Sequence, residues 1–392
     1  MIATIIYRPD SQKEHGHFDR ILTSEVLTDI CQRVTGQNQY RVVKDRETYN
    51  KGRLVLVEYN GITHYVSLSE ENIAGRNSGV QSVPTAINIY YSDRNLNKRL
   101  CYYFLQHNGR AFTNYYLFCY RLMVTAGFVF LNINDFYHNS ILPYHNVDDL
   151  IIDRRENQTS NSSNNSSYVS KSSDKIQIYA KTYGASKYES TLLAVAISQI
   201  ADRPIDIFNI CEQDLKSLPQ SSLKTIELLG NISVHNTSLF LDKRAYLESD
   251  KTVLRSASYQ YNLFNRLGAK RCALCGCEIP EIIQGAHIWG VSQIARSSEF
   301  DDDAKFGHAV SGHNGLWLCS NHHKLFDSNI ILFDNDGHVR IKDDLVTDDV
   351  AFIRSTTFRT SLDARFLSDE FRGYLARRNE TIDLAHSLRL AI

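Results

Sequence analysis

One segment of this chain is bounded by Cys272-Ala273-Leu274-Cys275 on its N-terminal side and by Cys319-Ser320-Asn321-His322 on its C-terminal side. Each boundary carries two thiolate or imidazole ligands separated by two residues, and such pairs converge on one tetrahedral Zn²⁺ ion. The paired spacing therefore predicts a structural zinc site. Its predicted ligands are Cys272, Cys275, Cys319 and His322.

The cysteine pattern leaves alternatives open. Cys277 can replace Cys275 as a ligand by its position in the sequence. A redox dithiol is disfavoured because no thioredoxin-like strand precedes the motif, and simple buried thiols remain a third interpretation. The four other cysteines are scattered along the chain, at Cys31, Cys101, Cys119 and Cys211. The other cysteines, from Cys272 to Cys319, cluster in one short stretch, and this clustering favours a metal site over disulfides.

Three more motifs lie within or directly after this cysteine frame. They are Gly285-Ala286-His287-Ile288, His313-Asn314-Gly315-Leu316-Trp317-Leu318-Cys319 and His322-His323-Lys324-Leu325-Phe326-Asp327. In this order the segment resembles the HNH endonucleases, whose ββα-metal fold consists of a hairpin, a helix and one catalytic metal ion. The resemblance covers about a sixth of the chain.

The resemblance implies a role for each matching residue. His287 takes the place of the general base, which removes a proton from the attacking water. Asn314 takes the place of the residue that pins the hairpin loop and orients the base. His323 and Asp327 lie one helical turn apart, and the resemblance implies that they hold a catalytic Mg²⁺ or Mn²⁺ ion. Cleavage would leave 5′-phosphate and 3′-hydroxyl ends.

The sequence departs from the family at one position. Many HNH proteins have an Asp, Glu or His directly before the base, where this chain has Ala286. Asp327, or one of Asp301, Asp302 and Asp303, is a candidate replacement ligand. Arg271 and Lys324 flank the predicted site, and we expect them to contact DNA phosphates, which positions a duplex without reading its sequence.

Composition limits the possible classes of protein. The chain has 392 residues, 43% of them hydrophobic, and a formal net charge of -1 from 43 basic and 44 acidic residues. The hydrophobic fraction excludes a chain that is disordered throughout. Because the net charge is close to zero, any contact with a polyanion must depend on a local group of basic residues. The N-terminus lacks the features of an export signal and no apolar run is long enough to span a bilayer, so we expect a soluble, cytoplasmic protein without membrane contact.

The pattern along the chain predicts an α+β, multi-domain protein with a zinc-stabilised ββα-metal module near its C-terminus. Asn60-Gly61 and Asp334-Asn335-Asp336-Gly337 each separate two strand-like runs and predict hairpins. Aromatic residues are dense between Tyr90 and Tyr120; a core is the simpler interpretation, and a base-stacking or partner surface is the alternative. The predicted division is 1–153 (α/β, target recognition), 154–174 (flexible Ser/Asn-rich linker), 175–255 (α/β), 256–345 (HNH nuclease module) and 346–392 (helical tail).

These features favour a site-directed DNA endonuclease, most simply a bacterial type II restriction enzyme. Its substrate would be double-stranded DNA, and its partners would be a second copy of the chain and a cognate DNA methyltransferase. A modification-dependent nuclease that senses methylated bases is one alternative. A non-catalytic zinc-containing DNA-binding protein is the other, because of Ala286.

Overall fold

The computed structural model describes residues 2–7, 22–45, 54–68, 83–105, 114–156, 167–181, 186–211, 218, 220–248, 256–382 and 384–390. The chain forms two compact units. The first comprises residues 1–167, 181–205 and 217–233, and the second comprises residues 168–180, 206–216 and 234–392. Within the described ranges, no helix is long and apolar enough to cross a membrane.

The first unit is built on a mixed six-stranded sheet with the order β2-β1-β3-β4-β5-β6. Its strands are β1 (Ala3–Tyr7), β2 (Tyr40–Lys44), β3 (Leu54–Tyr59), β4 (Ile62–Leu68), β5 (Lys98–Tyr103) and β6 (Phe128–Phe130). Its helices are α1 (Ser24–Thr35), α2 (Val83–Ser92), α3 (Asn114–Thr125), α4 (Val147–Glu156), α5 (Ser186–Ile200) and α6 (Gln220–Leu229).

The predicted Asn60-Gly61 hairpin is confirmed. Strands β3 and β4 pair antiparallel from Leu54↔Ser67 to Tyr59↔Ile62. Both turn residues have positive φ, 49° at Asn60 and 75° at Gly61, which is the backbone that a two-residue hairpin turn requires.

Aromatic residues of this unit pack mainly against one another. The ring centroids of Tyr102 and Phe104 are 4.9 Å apart, and those of Phe104 and Tyr120 are 5.3 Å apart, both in edge-to-face geometry. All three side chains are buried. These rings therefore form a core, as the simpler interpretation of the sequence predicts.

The second unit contains three sheets. The first has the order β10-β9-β8-β7, the second pairs β11 with β12, and the third has the order β13-β14-β15. The strands are β7 (Ser167–Lys171), β8 (Ile176–Lys181), β9 (Ile205–Cys211), β10 (Ile232–Ser238), β11 (Ile283–His287), β12 (Gly315–Cys319), β13 (Ile331–Phe333), β14 (Val339–Lys342) and β15 (Ser387–Arg389). The helices are α7 (Leu239–Glu248), α8 (Ala257–Leu267), α9 (Val291–Arg296), α10 (Asp302–Val310), α11 (Ser320–Asp327), α12 (Thr347–Thr356) and α13 (Asp369–Asn379).

Two segments differ from their sequence interpretation. Residues 167–171 fall in the predicted linker, yet they form the buried strand β7. Pairing in the sheet satisfies the backbone hydrogen-bonding groups of this segment, and composition alone does not predict such pairing. Residues 157–166 of that linker lie outside the described residues. The segment 346–392 is not wholly helical, since β15 pairs with β14 through Ile341↔Leu388.

The C-terminal segment also packs on the segment that the two cysteine motifs enclose. Phe371 and Leu375 of α13 are fully buried in the apolar core that includes Trp317 and Phe326. The predicted hairpin around Asp334–Gly337 is likewise present, as β13 and β14 pair antiparallel.

Candidate active site

Four side chains of the second unit form a compact ligand cluster. The ligand atoms of Cys272, Cys275, Cys319 and His322 all lie within 4.8 Å of one another. Cys275 Sγ is 3.8 Å from Cys319 Sγ, and His322 Nδ1 is 3.4 Å from Cys272 Sγ and 3.1 Å from Cys319 Sγ. Zn–S bonds of about 2.3 Å in a tetrahedron place two sulfurs about 3.8 Å apart, so the cluster fits a zinc site.

The surroundings of the cluster agree with a cation at its centre. Burial and the sulfurs of Cys272 and Cys319 raise the pKa of Cys275 to about 12, so thiolates near neutral pH need a bound cation. His322 Nε2 lies 3.1 Å from the hydroxyl of buried Thr357, which accepts its N–H and leaves Nδ1 to face the sulfurs. Cys277 is not a member of the cluster, and its carbonyl instead accepts the amide of Cys272.

The hairpin and helix expected of a ββα module follow from the register. Strands β11 and β12 pair antiparallel from Ile283↔Cys319 to His287↔Gly315, and α11 begins directly after Cys319. His287 therefore lies at the end of the first strand, while His323 and Asp327 lie one turn apart on the helix. The cysteine frame holds the other end of the same hairpin.

His287 is held with one ring nitrogen engaged. Its Nε2 lies 2.9 Å from the carbonyl oxygen of Ala309; a carbonyl only accepts, so Nε2 carries the hydrogen and Nδ1 carries the lone pair. Withdrawal of the ring from water lowers the pKa of His287 to about 4; the Ala309 carbonyl and Asp327 oppose this shift, and His323 adds to it. The imidazole is therefore neutral at pH 7, with Nδ1 able to accept a proton.

Asn314 fastens the chain directly after His287. The fully buried side chain accepts the amide of Trp289 at 2.8 Å and donates to the carbonyls of Trp289 at 3.0 Å and His308 at 3.1 Å. Its own carbonyl accepts the amide of Ile288. Through these hydrogen bonds Asn314 fixes the backbone next to His287.

His323 and Asp327 form an open pair. His323 Nδ1 donates to the side-chain oxygen of Gln284 at 2.9 Å, which leaves Nε2 as the available ligand atom. That Nε2 lies 3.5 Å from Asp327 Oδ2. The His323 side chain is 22% exposed and that of Asp327 is 56% exposed, so the pair faces solvent.

Two of the acidic residues that could replace the ligand missing at Ala286, Asp301 and Asp303, have other partners. Ala286 is fully buried. Asp301 caps α10 by accepting the amide of Ala304, and Asp303 pairs with Lys243. Across the described ranges, no cluster of three or more potential metal ligands includes His323. A catalytic ion at this site would have two protein ligands and complete its shell with water and phosphate.

The basic residues differ in their availability. Lys324 is exposed on α11 between His323 and Asp327. Arg271 is also exposed, and its Nε lies 3.2 Å from Glu278. Arg266, which also precedes the zinc motif, is committed instead to the carbonyls of Gly312 and Gly315.

Several supporting residues were not found from the sequence. Gln284, Thr357 and Arg378 each contact a group that the motif identifies, but they carry no motif of their own. Arg378 reaches the carbonyl of Ile288 at 3.2 Å and that of Phe326 at 2.7 Å, which ties the end of β11 to the end of α11. Only the alternation along β11 offered a signal, because it leaves Gln284 exposed.

Residues 272–334 match the family model of the HNH endonucleases. The match spans about a sixth of the chain and contains the cysteine cluster, His287, Asn314, His323 and Asp327. The resemblance predicted from the motifs is thereby confirmed, and it supports a nuclease of the HNH type, which uses a divalent metal and acts on DNA. No curated protein matches this chain.

Proposed function

We propose that this protein is a site-directed DNA endonuclease that hydrolyses phosphodiester bonds through its HNH module. The observation that carries the proposal is the pairing of a neutral imidazole with an open ligand pair. His287 presents the lone pair of Nδ1, and His323 Nε2 and Asp327 supply two ligand atoms to a solvent-facing position. A base and a cation site are the two parts that this hydrolysis requires.

In the proposed reaction, His287 Nδ1 takes a proton from a water molecule as the water oxygen bonds to phosphorus. The bond from phosphorus to the 3′ oxygen breaks, and solvent protonates that oxygen. The products are a 3′-hydroxyl and a 5′-phosphate. The carbonyl of Ala309 holds the Nε2 edge of His287 throughout, and Asn314 keeps the following backbone in place.

His323 and Asp327 would hold Mg²⁺ or Mn²⁺, which when bound stabilises negative charge on the phosphate and on the leaving oxygen. Gln284 orients His323 for that purpose through its hydrogen bond to Nδ1. Lys324 and Arg271 would contact flanking phosphates and increase affinity without regard to sequence.

Zn²⁺ in the cysteine cluster would have a structural role. The cluster joins the turn that carries Cys272 and Cys275 to the start of α11, where Cys319 and His322 lie. Four protein ligands leave no position for a substrate. The ion would thereby hold the hairpin against the helix that carries His323.

We further propose that the upstream part of the chain selects the target, with residues 1–153 as the recognition region and 175–255 as a second α/β region. So large a fold beside a small nuclease module favours directed cleavage over nonspecific degradation. A type II restriction enzyme is the leading form of this proposal, acting as a homodimer on double-stranded DNA beside a cognate methyltransferase.

The test uses the full chain with supercoiled plasmid DNA, Mg²⁺ or Mn²⁺, and matched methylated and unmethylated preparations. We expect discrete fragments with 5′-phosphate ends, and loss of cleavage in His287→Ala but not in His386→Ala, a histidine with a highly exposed side chain. Intact DNA under every condition would contradict the nuclease proposal and favour the alternative of a non-catalytic DNA-binding protein. Cleavage of methylated DNA alone would replace restriction with modification sensing.

A further inference from the structure

Helix α8 lies on the N-terminal side of the matched segment and packs directly on the hairpin. A Cβ placed on Gly285 would lie 2.4 Å from Leu263 Cδ1, and one placed on Gly315 would lie 2.4 Å from Tyr259 Oη. Any other residue at either strand position would have to displace these side chains of α8. The two glycines therefore let α8 approach both strands at the end where His287 is located.

Tyr259 of this helix lies flat against the imidazole of His287. The ring centroids are 4.0 Å apart and the ring planes differ by 11°. Tyr259 is 1% exposed, so its ring covers one face of the imidazole and shields it from water. Stacking restricts rotation of the imidazole plane, while the hydrogen bond from Nε2 to Ala309 restricts its edge.

The same helix holds the segment that provides the Ala309 carbonyl. Asn262 Nδ2 donates to the carbonyl of Val310 at 2.9 Å. Arg266 Nη1 donates to the carbonyl of Gly312 at 3.0 Å. Both restraints on His287, one on its face and one on its edge, thus depend on a helix that the HNH family match does not include.

We propose that Tyr259 is a positioning residue for the general base, and that the working nuclease unit begins at α8 rather than at the zinc motif. This inference rests on the proposed function, because it assigns Tyr259 a part in the reaction of His287. Tyr259 acts through His287. The tyrosine ring holds the imidazole so that Nδ1 of His287 points toward the water that it deprotonates.

The aromatic ring, rather than the hydroxyl, carries this effect. Tyr259 Oη is buried and has no hydrogen-bond partner in the part of the chain that the structure describes. Removing it costs no hydrogen bond there, so Tyr259→Phe keeps the stack and Tyr259→Leu removes it. Tyr261→Leu is the matched control, because Tyr261 is buried on the same helix and stacks edge-on against Tyr168.

The kinetic experiment measures cleavage of supercoiled plasmid with Mn²⁺ by the four full-length proteins. We expect Tyr259→Leu to lose about 10- to 100-fold in kcat with KM for the plasmid unchanged, as for a displaced catalytic group. Tyr259→Phe and Tyr261→Leu should remain within about threefold of wild type, since both retain the stack on His287. Equal losses in Tyr261→Leu and Tyr259→Leu, a loss confined to KM, or no loss in Tyr259→Leu would overturn the proposal.

A second readout does not require activity. In protein labelled with ¹³C-histidine, the ring protons of His287, assigned by their absence in His287→Ala, should shift when Tyr259→Leu removes the ring current and should stay in place in Tyr259→Phe. Unchanged His287 signals in Tyr259→Leu would overturn the proposal that Tyr259 positions His287. If the wild-type protein cleaves no DNA, the proposed function fails, and these signals still decide whether Tyr259 holds His287.

Discussion

Two candidate metal sites of the nuclease module, the cysteine cluster and the pair of His323 and Asp327, share helix α11 but differ in construction. The cysteine cluster has four protein ligands, most of them buried, and His322 is fastened by Thr357. The pair of His323 and Asp327 has two ligands, and both side chains are partly or largely exposed. Closed sites stabilise a fold, while open sites retain positions for water and substrate.

One short helix would thus supply ligands to a structural ion and to a catalytic ion from neighbouring residues. His322 points into the core and His323 points toward solvent, since successive residues of a helix face different directions. A change at one of the two should therefore affect the fold, and a change at the other should affect only the reaction.

The largest expected effect comes from the closed cluster. Cys272→Ser should abolish zinc binding, unfold the module and remove all activity, because structural zinc contributes on the order of 10 kcal/mol in small modules. Elemental analysis and thermal unfolding check this. Cys277→Ser is the matched control outside the cluster, and it should retain about one zinc per chain. Equal losses in the two variants would mean that Cys277 is also a zinc ligand, which would contradict its position outside the cluster.

A change in the open pair should leave the fold intact. His323→Ala should reduce the cleavage rate by about 10²- to 10³-fold through loss of the catalytic cation, with zinc content and unfolding temperature near those of wild type. Asp327→Asn should have a smaller effect in the same direction. If His323→Ala lost zinc or unfolded, the two sites would not be independent.

His287 predicts a pH dependence of stability. Its pKa falls from 6.5 to about 4 in the fold, so between these values the unfolded chain binds a proton that the folded chain does not. The contribution of this group is complete above pH 6.5 and is lost as the pH falls toward 4. Because the ring is partly exposed, the loss from pH 7 to pH 5 should be about 1–2 kcal/mol.

Urea unfolding of wild type and His287→Ala at pH 7 and pH 5 measures this contribution. The variant should lose less stability on acidification than wild type does, since the remaining groups that act on this position, His323 and Asp327, are common to both proteins. Identical losses would mean that the ring is hydrated in the fold.

The smallest effect is expected at the exposed basic residues. Lys324→Ala and Arg271→Ala should each raise KM for DNA a few-fold, about 1 kcal/mol, and flatten its salt dependence by about one charge. Arg389→Ala, at another exposed position, is the control. An effect on kcat alone would place Lys324 in the reaction rather than in binding.

The sequence predicted the parts of the site that depend on local geometry. Cys272 and Cys275 share one turn, while Cys319 and His322 share the start of α11, so spacing alone indicates their convergence. The order of His287, Asn314 and His323 also indicated the hairpin and helix. Each of these predictions uses residues that lie close together in the chain or in a known motif.

Other contacts arise only when distant segments meet. Tyr259 reaches His287 because Gly285 and Gly315 leave space for α8, and nothing in the Tyr259 segment indicates this register. Arg378 comes from a helix far along the chain. Strand β7 was missed for a related reason, since a Ser-rich segment gains its order from sheet pairing and not from its own apolar residues.

Selective chelation tests the division between the two sites most directly. Wild-type protein is treated with EDTA under mild conditions, then assayed for zinc content, folding and plasmid cleavage before and after addition of Mg²⁺. We expect one zinc per chain to remain, the fold to persist, and cleavage to disappear and return with Mg²⁺ alone. Loss of zinc and folding together with activity, with recovery only on addition of Zn²⁺, would contradict the assignment of separate structural and catalytic ions.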